Sequence, residues 1–398
     1  MFKQFQHWRA ALAGLVCLGL GMAVIGLYGF FVKPLVEEFE ASFTTVSSGM
    51  VLVLLMSAIA GPLAGKMADR VRARYQMLAG ASLAMLSLVA VSRAPSLGLA
   101  ALAFAGFCFA MPFYGPATVN AMLVRRYEGD AGRALAIAAV GVSIASIILP
   151  IALASLLGLF GWRDALAILA LVLYLVLLPT ILLGIPAVAP EARIEASSAS
   201  SREGFARQPA FWFIGLAVAI SFSCSTILTV AYPPHFSTLG LSTEAIGFMV
   251  AAAGGAGMVG KLSFAVVADT NKHRIRSLAC MLLVLQAVGV GVLMLADSVS
   301  LAVLALVFIG FGSGCTIPLH PFINSIYFDE SVIGAVNGGQ VPMMLPFSLL
   351  GIPLAGYAFD ATGSYFPAFA AVALLLFLGG MLLLLLPAPQ GKGVDSRN

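Results

Sequence analysis

The chain has 398 residues, of which 61% are hydrophobic and 10% charged, with a mean hydropathy of +1.03. A water-soluble protein of that length has too little polar surface to cover so much apolar material, so the soluble classes are excluded. The formal net charge of +4 sits in loops on one side and not on a basic face, so no nucleic-acid partner is expected.

A helix needs ~20 apolar residues to cross ~30 Å of hydrocarbon, and in lipid each segment must satisfy its own backbone hydrogen bonds. Twelve such segments are expected. In the N-terminal half they are 9–32, 46–67, 75–92, 97–123, 134–158 and 164–186. In the C-terminal half they are 210–233, 244–267, 276–296, 299–325, 335–358 and 366–387. Alternating ten-residue strands, as in a membrane barrel, are absent from the sequence. Lys3 and Arg9 precede the first apolar run, as in a signal peptide, but that run is too long for the apolar core of one. Between the halves, EASSASSREG is polar, Ser-rich and charged, which suits a flexible linker. The expected organisation is a six-helix bundle over 1–186, a linker over 187–208 and a second six-helix bundle over 209–398. The expected class is an all-α membrane protein of twelve transmembrane helices in two pseudo-symmetric bundles.

Twelve crossings put both termini on one side. All of the 21 Lys and Arg residues fall on that side except Lys33, Arg93 and Arg163. Cytoplasmic loops collect Lys and Arg, so both termini are expected in the cytoplasm.

The halves repeat each other. GPLAGKMADRVRAR (Gly61 to Arg74) follows the second span, and GKLSFAVVADTNKHRIR (Gly260 to Arg276) follows the eighth. Each runs from a small-residue helix end through Ala-Asp (Ala68-Asp69, Ala268-Asp269) into a basic cluster. Parallel six-helix repeats of this kind mark transporters. Gly19 to Gly29 and Ala251 to Gly260 form small-residue faces for close helix packing, and Pro112, Pro116, Pro150, Pro318, Pro321, Pro342, Pro346 and Pro353 interrupt spans.

No Asp or Glu lies in the interior of any expected span, which makes the cations there informative. Lys261 stands eight residues before Asp269, ~12 Å from the helix end at 1.5 Å per residue. Its reading is an anion partner in a water-filled cavity; the alternative is a lysine reaching the headgroups past small residues. Lys33, with Glu37 one turn on, is either an interfacial pair worth ~0–1 kcal/mol or an anion entry site. The two lysines lie at different depths and are expected to act in sequence. Tyr114, ~16 Å from the cytoplasmic end of the fourth helix, is near the midplane, where its hydroxyl would either donate to a substrate or bridge helices. Asn120, Gln286, Asn324 and Gln340 are span amides, most of which bridge helices. His320, between Pro318 and Pro321, would line the inner cavity, take a proton or be satisfied near the interface. Asp69 and Arg70, with Asp269 in the repeat, are gate candidates, since a carboxylate near a helix start gains ~0.3–1 kcal/mol from its dipole.

The five cysteines lie in apolar runs without metal spacing and are expected as buried apolar groups. With no Walker, HExxH or GxSxG pattern, neither an ATP-driven pump nor a hydrolase of those types is expected. No catalytic residue, metal or cofactor is assigned.

GPLAGKMADRVRAR resembles the loop between helices two and three of the major facilitator superfamily. Gly65, Asp69, Arg70 and Arg74 match its pattern, and Arg72 stands where glycine is usual. The resemblance extends to FGWRDAL (Phe160 to Leu166) and DATGSY (Asp360 to Tyr365). It implies the major facilitator fold, with Asp69 meeting the start of helix eleven to hold the inner side closed. Within that superfamily, YGFFVKPLVEEF (Tyr28 to Phe39) resembles the first-helix exit of the monocarboxylate transporters, including bacterial members. Those carry a lysine where Lys33 stands, an arginine where Lys261 stands and, in bacterial members, an aromatic where Tyr114 stands. Animal members carry an aspartate where this chain has Gly257. The resemblance implies a monomeric secondary transporter in a bacterial inner membrane that moves a small organic anion, a monocarboxylate, with proton symport. A facilitator or exporter of neutral or amphiphilic compounds remains an alternative, as does a transport-fold receptor or sensor.

Overall fold

Long apolar runs leave the backbone no partner but itself, and the chain answers with helices. The structure is a computed structural model that describes residues 2–68, 70–127, 130–187, 204–329 and 332–387, and no strand occurs among them. The N-terminal half contains α1 (Phe2–Gly26), α2 (Gly29–Phe39), α3 (Phe43–Ser48), α4 (Val51–Ala68), α5 (Ala73–Ser92), α6 (Leu97–Tyr114), α7 (Pro116–Arg126) and α8 (Ala131–Gly184). The C-terminal half contains α9 (Pro209–Thr238), α10 (Thr243–Val267), α11 (Ile275–Met294), α12 (Val299–Tyr327), α13 (Ile333–Gln340), α14 (Met344–Thr362) and α15 (Phe366–Leu384).

Eleven stretches of the described residues are long and apolar enough to cross a membrane. One of them, Arg133–Gly184, has 52 residues. A straight helix of that length would reach ~78 Å, more than twice the hydrocarbon thickness. It breaks at Gly161, whose φ of 70° and ψ of 172° lie in a region open essentially to glycine alone. The stretch is therefore two spans, which gives the expected twelve crossings.

Three spans are less regular than periodicity suggests. The first continues past residue 32, breaks at Leu27–Tyr28 and resumes as α2. The fourth breaks at Gly115, and Pro116 then opens α7 at a position where a missing N–H costs nothing. The eleventh breaks in a single 3-10 turn at Val341–Met343, where Pro342 cannot donate to the helix ladder. The repeat is visible in local chemistry. Ser96 caps α6 by accepting from the Leu99 N–H, and Ser298 caps α12 by accepting from the Leu301 N–H, both at 3.4 Å.

Two compact units are distinguished by contact. The first comprises Met1–Ile194, Thr229–Gly254 and Ile352–Ser364, and the second Glu195–Leu228, Gly255–Gly351 and Tyr365–Asn398. The first unit thus contains the ends of α9 and α14 and the start of α10 that lie away from the basic loops. Most of the expected linker 187–208 lies outside the described residues. Each unit has its own close packing. In the first, a Cβ on Gly19 would fall 2.6 Å from the Gly141 carbonyl oxygen, so α1 and α8 touch through their backbones. In the second, Phe211, Ile214, Leu283, Leu319 and Ile323 belong to one buried cluster from α9, α11 and α12.

Candidate functional site

Within the second unit, polar side chains gather on α9, α11, α12 and α13. Lys261 is half-buried on α10, one turn beyond Gly257. A Cβ on Gly314 of α12 would fall 2.5 Å from the Gly257 Cα, so α10 and α12 approach at backbone contact beside the lysine. The Cys315 thiol donates to the Gly260 carbonyl on the same face at 3.2 Å.

His320 belongs to a bonded network and is itself half-buried. Gln340 donates through Nε2 to the Phe211 carbonyl at 2.9 Å, which directs its Oε1 toward α12. That oxygen accepts from Asn324 Nδ2 at 2.7 Å and stands 2.7 Å from His320 Nε2. An amide oxygen only accepts, so His320 carries its proton on Nε2 in this arrangement. Asn324 Nδ2 also donates to Asn337 Oδ1 at 2.6 Å. The expected role of Asn324 and Gln340 as bridging amides is thus met. Gln286 does the same deeper in the unit, where Ser221 donates to its Oε1 at 3.2 Å and its Nε2 lies 3.4 Å from Thr316 Oγ1.

The first unit holds the other candidates. Tyr114 ends α6 and is 2% exposed, with its ring against Gly21, where a Cβ would fall 3.2 Å from the ring. Asn120 is exposed on α7. Lys33 on α2 donates to Ser237 Oγ of α9 at 2.9 Å and lies 3.7 Å from the Glu37 carboxylate. Both readings of Lys33 stay open: it pairs with Glu37 one turn on, and it borders a cavity of about 290 Å³ lined by Phe30, Trp162, Pro233 and Ile246. Arg70 is exposed, Asp69 lies outside the described residues, and Asp269 is described only as the backbone start of a 3-10 turn. Tyr114, Asn120 and Lys33 therefore belong to one unit, and Lys261 and His320 to the other.

Sequence reasoning assigned no role to a cluster beside Lys33. The Gly161 break lets Trp162 and Arg163 turn onto Glu38. Trp162 Nε1 donates to Glu38 Oε2, and Arg163 Nε donates to Oε1 at 2.8 Å. The same guanidinium reaches the Ser92 carbonyl at 2.8 Å and the Ala94 carbonyl at 2.9 Å. Burial pushes the Glu38 carboxyl up, but the Arg163 and Trp162 bonds outweigh it and hold the group below its ordinary value of 4.5. The only sequence signal was the FGWRDAL resemblance, which names a motif without a partner.

The Major Facilitator Superfamily profile matches residues 12–341. Monocarboxylate transporter 11 of Homo sapiens is 28% identical over 400 residues, covering 96% of this chain and 83% of the relative. Monocarboxylate transporter 13 of Rattus norvegicus is 25% identical over 391 residues, covering 96% and 89%. Among solved structures, a D-xylose-proton symporter superposes with a TM-score of 0.76 at 14% identity, covering 98% of this chain and 99% of the other. A bacterial homologue of the human lysosomal transporter Spinster, in an inward-facing and occupied conformation, gives 0.76 at 14% identity and 96% of each chain. These structures share the fold, and the profile spans most of the sequence. The chain is therefore an integral membrane transporter and not an enzyme, and it belongs to the major facilitator superfamily.

Proposed function

We propose that this transporter moves a small organic anion of the monocarboxylate class by alternating access, with a proton as co-substrate. The observation that carries the reading is Lys261: a half-buried cation in an apolar span, held by backbone-close packing of α10 on α12. A carboxylate is the substrate group that such a cation favours. The names of the two relatives above point to the same class. Lys261 would bind the anion, with Tyr114, His320 and Asn120 as further substrate contacts and Lys33 as an entry site. His320, with one ring nitrogen committed to Gln340, would have the other available to a proton. Asp69, Arg70 and Asp269 would gate the basic side. On this reading 1–186 and 209–398 are the two rocking bundles, joined by 187–208, with both termini cytoplasmic in a bacterial inner membrane.

The test is uptake of a panel of labelled carboxylates by proteoliposomes, with and without an inward proton gradient. Lys261→Gln is expected to abolish saturable uptake, while Lys261→Arg keeps part of it. Normal uptake by the Gln variant would remove the anion site. Uptake that ignores the gradient but accelerates with unlabelled anion inside would make the protein an exchanger.

A further inference from the structure

Asp360 joins two parts of the chain that are 316 and 317 residues apart. It lies near the end of α14. Its Oδ1 accepts from the Phe43 N–H at 2.9 Å, and its Oδ2 accepts from the Thr44 N–H at 2.8 Å and from the Thr44 hydroxyl. Phe43 and Thr44 open the span Phe43–Met67, and the next N–H, that of Thr45, goes to Ser42 Oγ at 3.1 Å. The amides that start a helix have no partner within it and present its positive end, so a carboxylate is the matched group. Here the carboxylate comes from the eleventh span and not from the local sequence.

The surrounding contacts show that the junction is built. A Cβ on Gly356, one turn before Asp360, would fall 2.7 Å from the Thr44 Cα and 2.8 Å from the Phe43 carbonyl oxygen. Only a residue without a side chain lets α14 lie on that backbone. The Phe43 and Phe359 rings pack with centroids 4.2 Å apart. At the same end, Lys33 bonds Ser237, and a Cβ on Gly29 would fall 2.9 Å from the Val230 carbonyl oxygen. All these residues belong to the first unit, which is thus drawn together there from both halves of the chain. Asp360 is nonetheless exposed. Water can take its place on the amides, so the junction is strong in geometry and cheap to open.

We propose that Asp360 is the releasable carboxylate of a clasp that holds the Lys33 end shut. The clasp ties the end of the eleventh span to the start of the second. The proposal rests on the alternating-access reading, and its test separates the two. In protein whose five native cysteines are replaced, Ile246→Cys is the reporter, since Ile246 is 3% exposed and lines the cavity beside Lys33. A membrane-impermeant maleimide is applied from the Lys33 side. Asp360→Ala is expected to raise the labelling rate about tenfold, the factor that ~1.4 kcal/mol represents. Thr44→Val removes the hydroxyl donor alone, keeps both backbone donors and should raise it by a smaller factor, which covers the case in which Asp360→Ala does not fold. Labelling unchanged in both variants, even with a lowered melting temperature, would make Asp360 a static cap and overturn the proposal. A second reporter, Asn120→Cys, is exposed on α7 and is labelled from the other side. If Ile246→Cys labelling rises, the clasp stands; whether Asn120→Cys labelling then falls decides alternating access separately.

Discussion

Gly314→Ala asks whether backbone contact between α10 and α12 holds Lys261 in position. Ordinary van der Waals contact of a Cβ begins near 3.4 Å, whereas a Cβ on Gly314 would sit 2.5 Å from the Gly257 Cα. The obstacle is backbone, which cannot rotate away, so α10 must withdraw by about 1 Å. Overpacking of this kind costs ~1–3 kcal/mol. Lys261 is one turn beyond Gly257 and moves with it, and a displacement of ~1 Å at a reacting or binding group can cost ~10²-fold in rate. Gly255, on the same helix, has no atom within 4 Å of its would-be Cβ. Gly255→Ala should therefore be neutral or stabilising by ~0.4–1 kcal/mol, because alanine has less freedom to lose on folding. The assays are thermal unfolding in detergent and carboxylate uptake in proteoliposomes at matched protein. Gly314→Ala is expected to melt below wild type and lose most uptake, with Gly255→Ala at or above wild type in melting. If the two variants behave alike, close packing does not position Lys261.

Gln340→Leu should cost ~1–3 kcal/mol in unfolding experiments, since it removes the buried acceptor that His320 Nε2 and the Asn324 amide share and leaves those donors short of a partner; a loss below ~0.5 kcal/mol would show that the network is not a stabilising bridge. Glu38→Gln should destabilise at pH 7 by under ~1 kcal/mol, because Glu38 is 38% exposed. The Glu38 carboxyl is held below 4.5 in the folded chain, so its contribution is complete above that pH and is lost as the pH falls below it. The gap in melting temperature between wild type and Glu38→Gln should therefore close in acid, and a constant gap would contradict the assignment. Lys33→Gln discriminates between the readings of Lys33: an interfacial pair predicts a small stability change with uptake intact, and an anion entry site predicts weakened uptake at similar stability.

Composition and hydropathy determined much of the fold, because lipid leaves the backbone few solutions: twelve apolar runs in this chain could only be helices. The resemblance of GPLAGKMADRVRAR was enough to name the superfamily. Span interiors also drew attention to Lys261 and His320, since polar groups there are costly enough to stand out. The helix breaks were unevenly legible. Gly161 falls in the gap between the expected spans 134–158 and 164–186, whereas the break at Leu27–Tyr28 lies inside the expected span 9–32 with no proline at those two residues to mark it. Pairings were not legible at all. Asp360 reads as an ordinary turn carboxylate, and only the return of α14 to the start of the second span gives it two amides to hold. Glu38, Trp162 and Arg163 meet only because the chain reverses at Gly161. Local sequence fixes which groups are apolar enough to enter the membrane; which polar groups then find one another depends on contacts between residues a hundred or more positions apart, and only the packed helices decide those.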